Sequence, residues 1–75
     1  MNIFKGDAIN SLGNWSYKMI EEDTNQITFY DNEGNEISKP ADFPNNADIN
    51  ARQADMQTKA DTGDYKSVQA IIATY

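Results

Sequence analysis

Two prolines, Pro40 and Pro44, punctuate the chain just past its middle. Neither carries a backbone N–H, and each biases the residue before it, Lys39 or Phe43, toward extended geometry. No regular element runs through such a seam. On its N-terminal side the residues alternate as strands do. On its C-terminal side apolar residues recur at helical spacing. The pattern predicts an α+β fold: a short N-terminal helix, a small antiparallel β-sheet of two to three strands, then one or two C-terminal helices. Seventy-five residues make one small domain. It divides into residues 1–39 (helix plus strands), a proline-bounded linker over 40–46, and a helical part over 47–75.

Phe4, Ala8, Ile9 and Leu12 share one helical face, with Asp7 as candidate N-cap and Gly13 as the stop; this predicts a helix over 7–12. Trp15, Tyr17 and Met19 alternate with Ser16, Lys18 and Ile20, the period of a half-buried strand. Glu22-Asp23-Thr24-Asn25 reads as a polar turn and 26–30 as the returning strand, with Ile27 and Phe29 on one face. A second turn at 31–35 uses Gly34, which takes positive φ without steric strain. Residues 36–38 suit a short edge strand. Beyond the seam, Asn45 or Asn46 can cap a helix over 47–60, with Phe43 as a hydrophobic staple. Its stripe is Ile49, Gln53, Met56 and Ala60, broadened by Ala47 and Ala51. Asp55 and Lys59 form an i,i+4 pair in the favourable order. Gly63 ends that helix and Asp64 starts another.

Tyr65, Val68, Ile71, Ile72 and Tyr75 then fall on one helical face, and they are the candidate interface residues. Residues 47–60 already cover the small sheet. The stripe is therefore expected to pack against a second copy or a partner subunit. In the competing arrangement it folds back on the chain's own sheet and the protein is a monomer.

The chemistry available is narrow. The chain has no histidine and no cysteine, which removes the usual general base and the soft metal ligands. No catalytic, cofactor-binding or metal site is predicted, and the domain is read as non-enzymatic. Asp61-Thr62-Gly63 matches the aspartic protease triplet, but that chemistry needs two buried aspartates between paired loops; a helix break explains the triplet better. Asp31, Glu33, Asn35 and Glu36 fail the spacing of a calcium loop, which wants glycine at its sixth position. Asn14-Trp15-Ser16 is a glycosylation triplet with no secretion signal to make it one. Trp15, Tyr17 and Tyr30 suit core packing or subunit contact better than base stacking, since no bases flank them. The formal charge of −6 repels phosphate backbones and anionic headgroups, so direct nucleic-acid or membrane binding is not expected. No apolar run has the length of a bilayer span or a signal peptide.

The order of segments carries a resemblance. Ala8-Ile9-Asn10-Ser11-Leu12 leads into Trp15-Ser16-Tyr17, then Asn25-Gln26-Ile27-Thr28-Phe29, then Pro44-Asn45-Asn46-Ala47-Asp48-Ile49-Asn50-Ala51. This resembles small tail-region proteins of tailed bacteriophages and prophages, including the XkdW family, in which an A-I-x-x-L helix precedes two strands and a P-T-x-x-E-I-x-A helix start. Here Asn45 stands for the threonine and Asp48 for the glutamate, and the apolar C-terminal segment has no clear counterpart. The resemblance covers residues 8–60. It implies a phage origin and a role in a tail or virion or its assembly; taken with the small core and the apolar C-terminal stripe, the expected partner is a second copy (a homo-oligomer) or another phage structural protein, and the expected place is the virion or host cytoplasm. It carries over no functional residue. The alternative is a small acidic inhibitor that binds a host protein.

Overall fold

The structure, a computed structural model, describes residues 1–75. Its elements are α1 (Lys5–Leu12), β1 (Tyr17–Ile20), β2 (Asp23–Tyr30), β3 (Glu36–Ile37), α2 (Asn46–Thr62) and α3 (Val68–Ile72). The chain is thus an α+β protein with a helix first, a three-stranded antiparallel sheet in the order β1-β2-β3, and helices last. No helix is long and apolar enough to cross a membrane.

α1 starts two residues before Asp7. Phe4 is the N-cap, with extended backbone and no side-chain acceptor of its own. Asp7 works instead from inside the first turn, its carboxylate accepting the Phe4 N–H at 2.9 Å. The Lys5 N–H is taken by Glu22 of the hairpin at 2.7 Å. Two carboxylates therefore cover the positive end of α1. Phe4 itself is 54% exposed, outside the face it was expected to join.

The β1–β2 connection also differs from expectation. The turn is Glu21-Glu22, both at positive φ (51° and 61°), and β2 begins at Asp23. Tyr17 pairs with Phe29 and Met19 with Ile27, but Ile20 pairs with Asp23, so the register breaks after Met19. Of the polar run read as a turn, Glu22 lies in the turn and Asp23-Thr24-Asn25 lie in β2, within the bulge made by that shift. Asp23 organises it by accepting the Asn25 N–H and the Gln26 side-chain amide, each at 2.9 Å. In the second turn Gly34 takes φ 86°, as expected.

Past the seam, Asn45 caps α2 by accepting the Asp48 N–H at 2.8 Å. The helix runs from Asn46 to Thr62, longer at both ends than 47–60. Ile49 and Met56 are fully buried; Ala47 and Ala51 face solvent and do not broaden the stripe. Gln53 and Gln57 bind the N-terminal segment. Gln57 accepts the Ile3 N–H at 2.9 Å and donates to the Met1 carbonyl, and Gln53 donates to the Ile3 carbonyl at 3.0 Å. These bonds seat Ile3 in the core, which explains a glutamine in an apolar stripe.

The second helical segment starts at Ser67, not Asp64, and has only five residues; the Ser67 hydroxyl accepts the Ala70 N–H. Tyr65 precedes it and Tyr75 follows it. The main core is Ile3, Ala8, Ile9, Ile49, Met56 and Ile71, so it is built from all three helices and the N-terminal segment. Trp15, Tyr17, Met19 and Ile27 pack against it from the sheet side. Phe29 is also buried, beneath Phe43.

Candidate functional site

Phe43 packs against the core that includes Ile49 of α2, and it also reaches the aromatic side chains of the sheet side. Its ring meets Phe29, Trp15 and Tyr17 edge-on, with centroids at 4.8, 5.2 and 6.4 Å. The Phe43 N–H donates to the Pro40 carbonyl at 3.1 Å, closing a turn that brings this linker residue to the cluster. Trp15 and Tyr17 are thereby committed to packing, and Tyr30 alternates to the opposite face of the sheet. The three do not make a stacking platform.

Trp15 continues outward from this cluster. Its indole N–H donates to Asp42 at 3.1 Å. With Leu12, Pro44, Ala51 and Tyr75 it lines an open groove of about 510 Å³, bordered by Asp42, Asp48, Asp55 and Arg52. Arg52 is the chain's only arginine. It lies among three aspartates yet forms an ion pair with none of them. Its guanidinium donates to the Ser11 carbonyl at 3.2 Å and the Ser11 hydroxyl at 3.0 Å, closing the C-terminal end of α1, and stacks 3.9 Å from the Tyr75 ring centre. Lys59 approaches the same ring at 3.9 Å and pairs with Asp55 at 3.8 Å. The Tyr75 hydroxyl donates to Asp55. Burial of the phenol, together with the Asp55 bond and charge, pushes the Tyr75 pKa up to about 12, against a smaller opposing effect of Arg52. Asp42 is left with one oxygen unbonded. The Asp48 side chain has no hydrogen-bond or ion-pair partner.

The candidate interface residues have separate fates. Ile71 is fully buried in the chain's own core, Tyr65, Val68 and Ile72 are half-buried against that core, and Tyr75 is 45% exposed on the groove wall. They do not form one free face. The five-residue helix is too short to carry a stripe of eleven residues, and it docks chiefly on α1 and α2.

A second, smaller concavity of about 280 Å³ lies between β2, β3 and the seam, lined by Ile27, Phe29, Ile37, Lys39 and Phe43. No three acidic side chains come together closely enough to hold a metal ion. Asp31 spends its carboxylate on the N–H groups of Asn35 and Glu33, both at 2.9 Å, and these bonds hold it below the usual carboxylate range. Asp61 and Thr62 sit in the last turn of α2, bonded to Gln57 and to the Thr58 carbonyl. Sequence reasoning did not find the groove: Leu12, Trp15, Asp42, Asp48 and Arg52 are dispersed over forty positions, and no local pattern joins them. Comparison with known protein families, characterised proteins and solved structures finds no match to this chain.

Proposed function

We propose that the protein is a non-enzymatic association module, acting in a phage tail or virion or in its assembly. One observation carries the association role. Five large apolar side chains, Met1, Phe4, Ile20, Ile37 and Tyr75, stay 41–54% exposed on a domain that buries only seven residues. Covering them against another protein removes apolar surface that the fold cannot bury alone, at about 25 cal/mol per Å². The order of segments supports the phage setting, since it is the order on which the resemblance to tail-region proteins rests. The acidic surface disfavours nucleic acid and anionic membrane as partners.

The test is the mass of the full chain by sedimentation from low to high micromolar concentration, alone and mixed with purified tail proteins of a candidate phage. Self-association or a stoichiometric complex with a tail protein supports the proposal. A monomer that ignores tail proteins and binds one host protein overturns it in favour of the acidic inhibitor.

A further inference from the structure

The groove between the C-terminal end of α1 and the outer face of α2 combines two features. Its lining includes the apolar and aromatic side chains of Leu12, Trp15, Pro44, Ala51 and Tyr75. It also carries three aspartates, Asp42, Asp48 and Asp55, against one arginine, and Asp42 and Asp48 pair with no cation, because Arg52 is held by Ser11 and by the Tyr75 ring. An excess of negative charge beside apolar side chains attracts cations and steers them in. The carboxylates do not converge on a metal site, so a compact divalent ion does not fit the arrangement. An extended occupant with cations spaced along it does.

We propose that this groove docks a basic segment of a partner protein, one in which lysine or arginine alternates with apolar residues. The cationic heads meet Asp42 and Asp48, and the apolar side chains lie against Leu12, Pro44 and the edge of Trp15. The lysine and arginine stems add apolar contact of their own. This assignment rests on the association role proposed above and gives that partner its chemistry.

Trp15 is the chain's only tryptophan, and it lines the groove, so its fluorescence reports occupancy directly. The probe is a blocked peptide of about eight residues alternating lysine and leucine, titrated into the full-length protein at low salt. A saturable change is expected, weakening as salt screens the exposed charges. The double variant Asp42→Asn/Asp48→Asn should weaken binding about tenfold, equivalent to about 1.4 kcal/mol. The charge-matched variant Glu33→Gln/Asp64→Asn, altered in turns outside the groove, should bind as the parent does. Circular dichroism checks that both variants are folded. An equal loss in the two variants would reduce the effect to diffuse attraction by an acidic protein and overturn the assignment. So would the absence of a saturable signal. If Asp42→Asn/Asp48→Asn instead lowers the native mass of the chain without peptide, the occupant is a second copy and the assignment to a different partner is wrong. Association that persists while the groove ignores the peptide leaves the proposed function standing and removes only this inference.

Discussion

Glu21 and Glu22 hold the two central positions of the β1–β2 turn at φ 51° and 61°, a region where side chains with a Cβ are strained. Asparagine and glycine are the usual occupants of such paired positions. Glu22 has a compensating task, since its carboxylate accepts the Lys5 N–H. Glu21 has none. Glu21→Asn should therefore stabilise the protein by about 0.5 kcal/mol, read as a higher urea midpoint with an unchanged slope. Tyr75 sets a second expectation. Its pKa rises from 10.0 to about 12 in the folded chain, and burial together with the Asp7 and Glu22 charges raises that of Tyr17 as well. Below about pH 9 both phenols are neutral in the folded and unfolded chains, and neither contributes a slope. Above it the unfolded chain releases its phenolic protons first, so stability falls as pH rises toward about 12. The difference in stability between Tyr75→Phe and the parent, followed by urea denaturation upward from pH 9, should shrink over that interval. A constant difference would show that the phenol's ionisation is not coupled to folding.

At the scale of elements, the hairpin and the seam are joined by rings. Phe29 comes from β2, Phe43 from the linker, and Trp15 from the residues before β1. Truncating Phe29 to alanine should destabilise by about 3–5 kcal/mol, as for other buried phenylalanines. The double-mutant cycle with Phe43→Ala should return a coupling of about 0.5–1.5 kcal/mol, because each ring packs on the edge or face of the other. Additive losses would mean the linker is not tied to the sheet through this pair. Gly13 belongs to the same joint. Its backbone is extended, so helix termination does not require glycine there; the Trp15 ring lies where a Cβ would stand. Gly13→Ala should displace the indole and destabilise by about 1–3 kcal/mol, with a shifted Trp15 emission maximum as the direct sign.

For the molecule as a whole, Ile71 decides how much of the C-terminal segment is structural. It is fully buried among residues from α1, α2 and the N-terminal segment. Ile71→Ala should destabilise by about 2–5 kcal/mol, a large share of what a domain of this size holds. Removing residues 65–75 should abolish the cooperative thermal transition. A truncated chain that melted cooperatively, near the parent's temperature, would return the segment to the role of a detachable interface.

Most of the architecture was legible in the residues. Period-two spacing gave the strand faces, the prolines gave the boundary between sheet and helix, and Asn45, Gly34 and the Asp55–Lys59 pair stand where local rules place them, because those rules act over four residues or fewer. The start of the last helix at Ser67 is a local capping choice, but other departures share one physical cause: a partner distant in sequence outweighed the local signal. Gln57 and Gln53 hold the N-terminal residues on α2, Glu22 helps α1 start early by accepting the Lys5 N–H, and Phe43 packs on Phe29, Trp15 and Tyr17. The groove lay beyond sequence reasoning for the same reason. The types of its side chains were fixed by the sequence, but only the packing of α1 against α2 put Asp42 and Asp48 around Trp15 and turned Arg52 away from them, toward Ser11 and Tyr75.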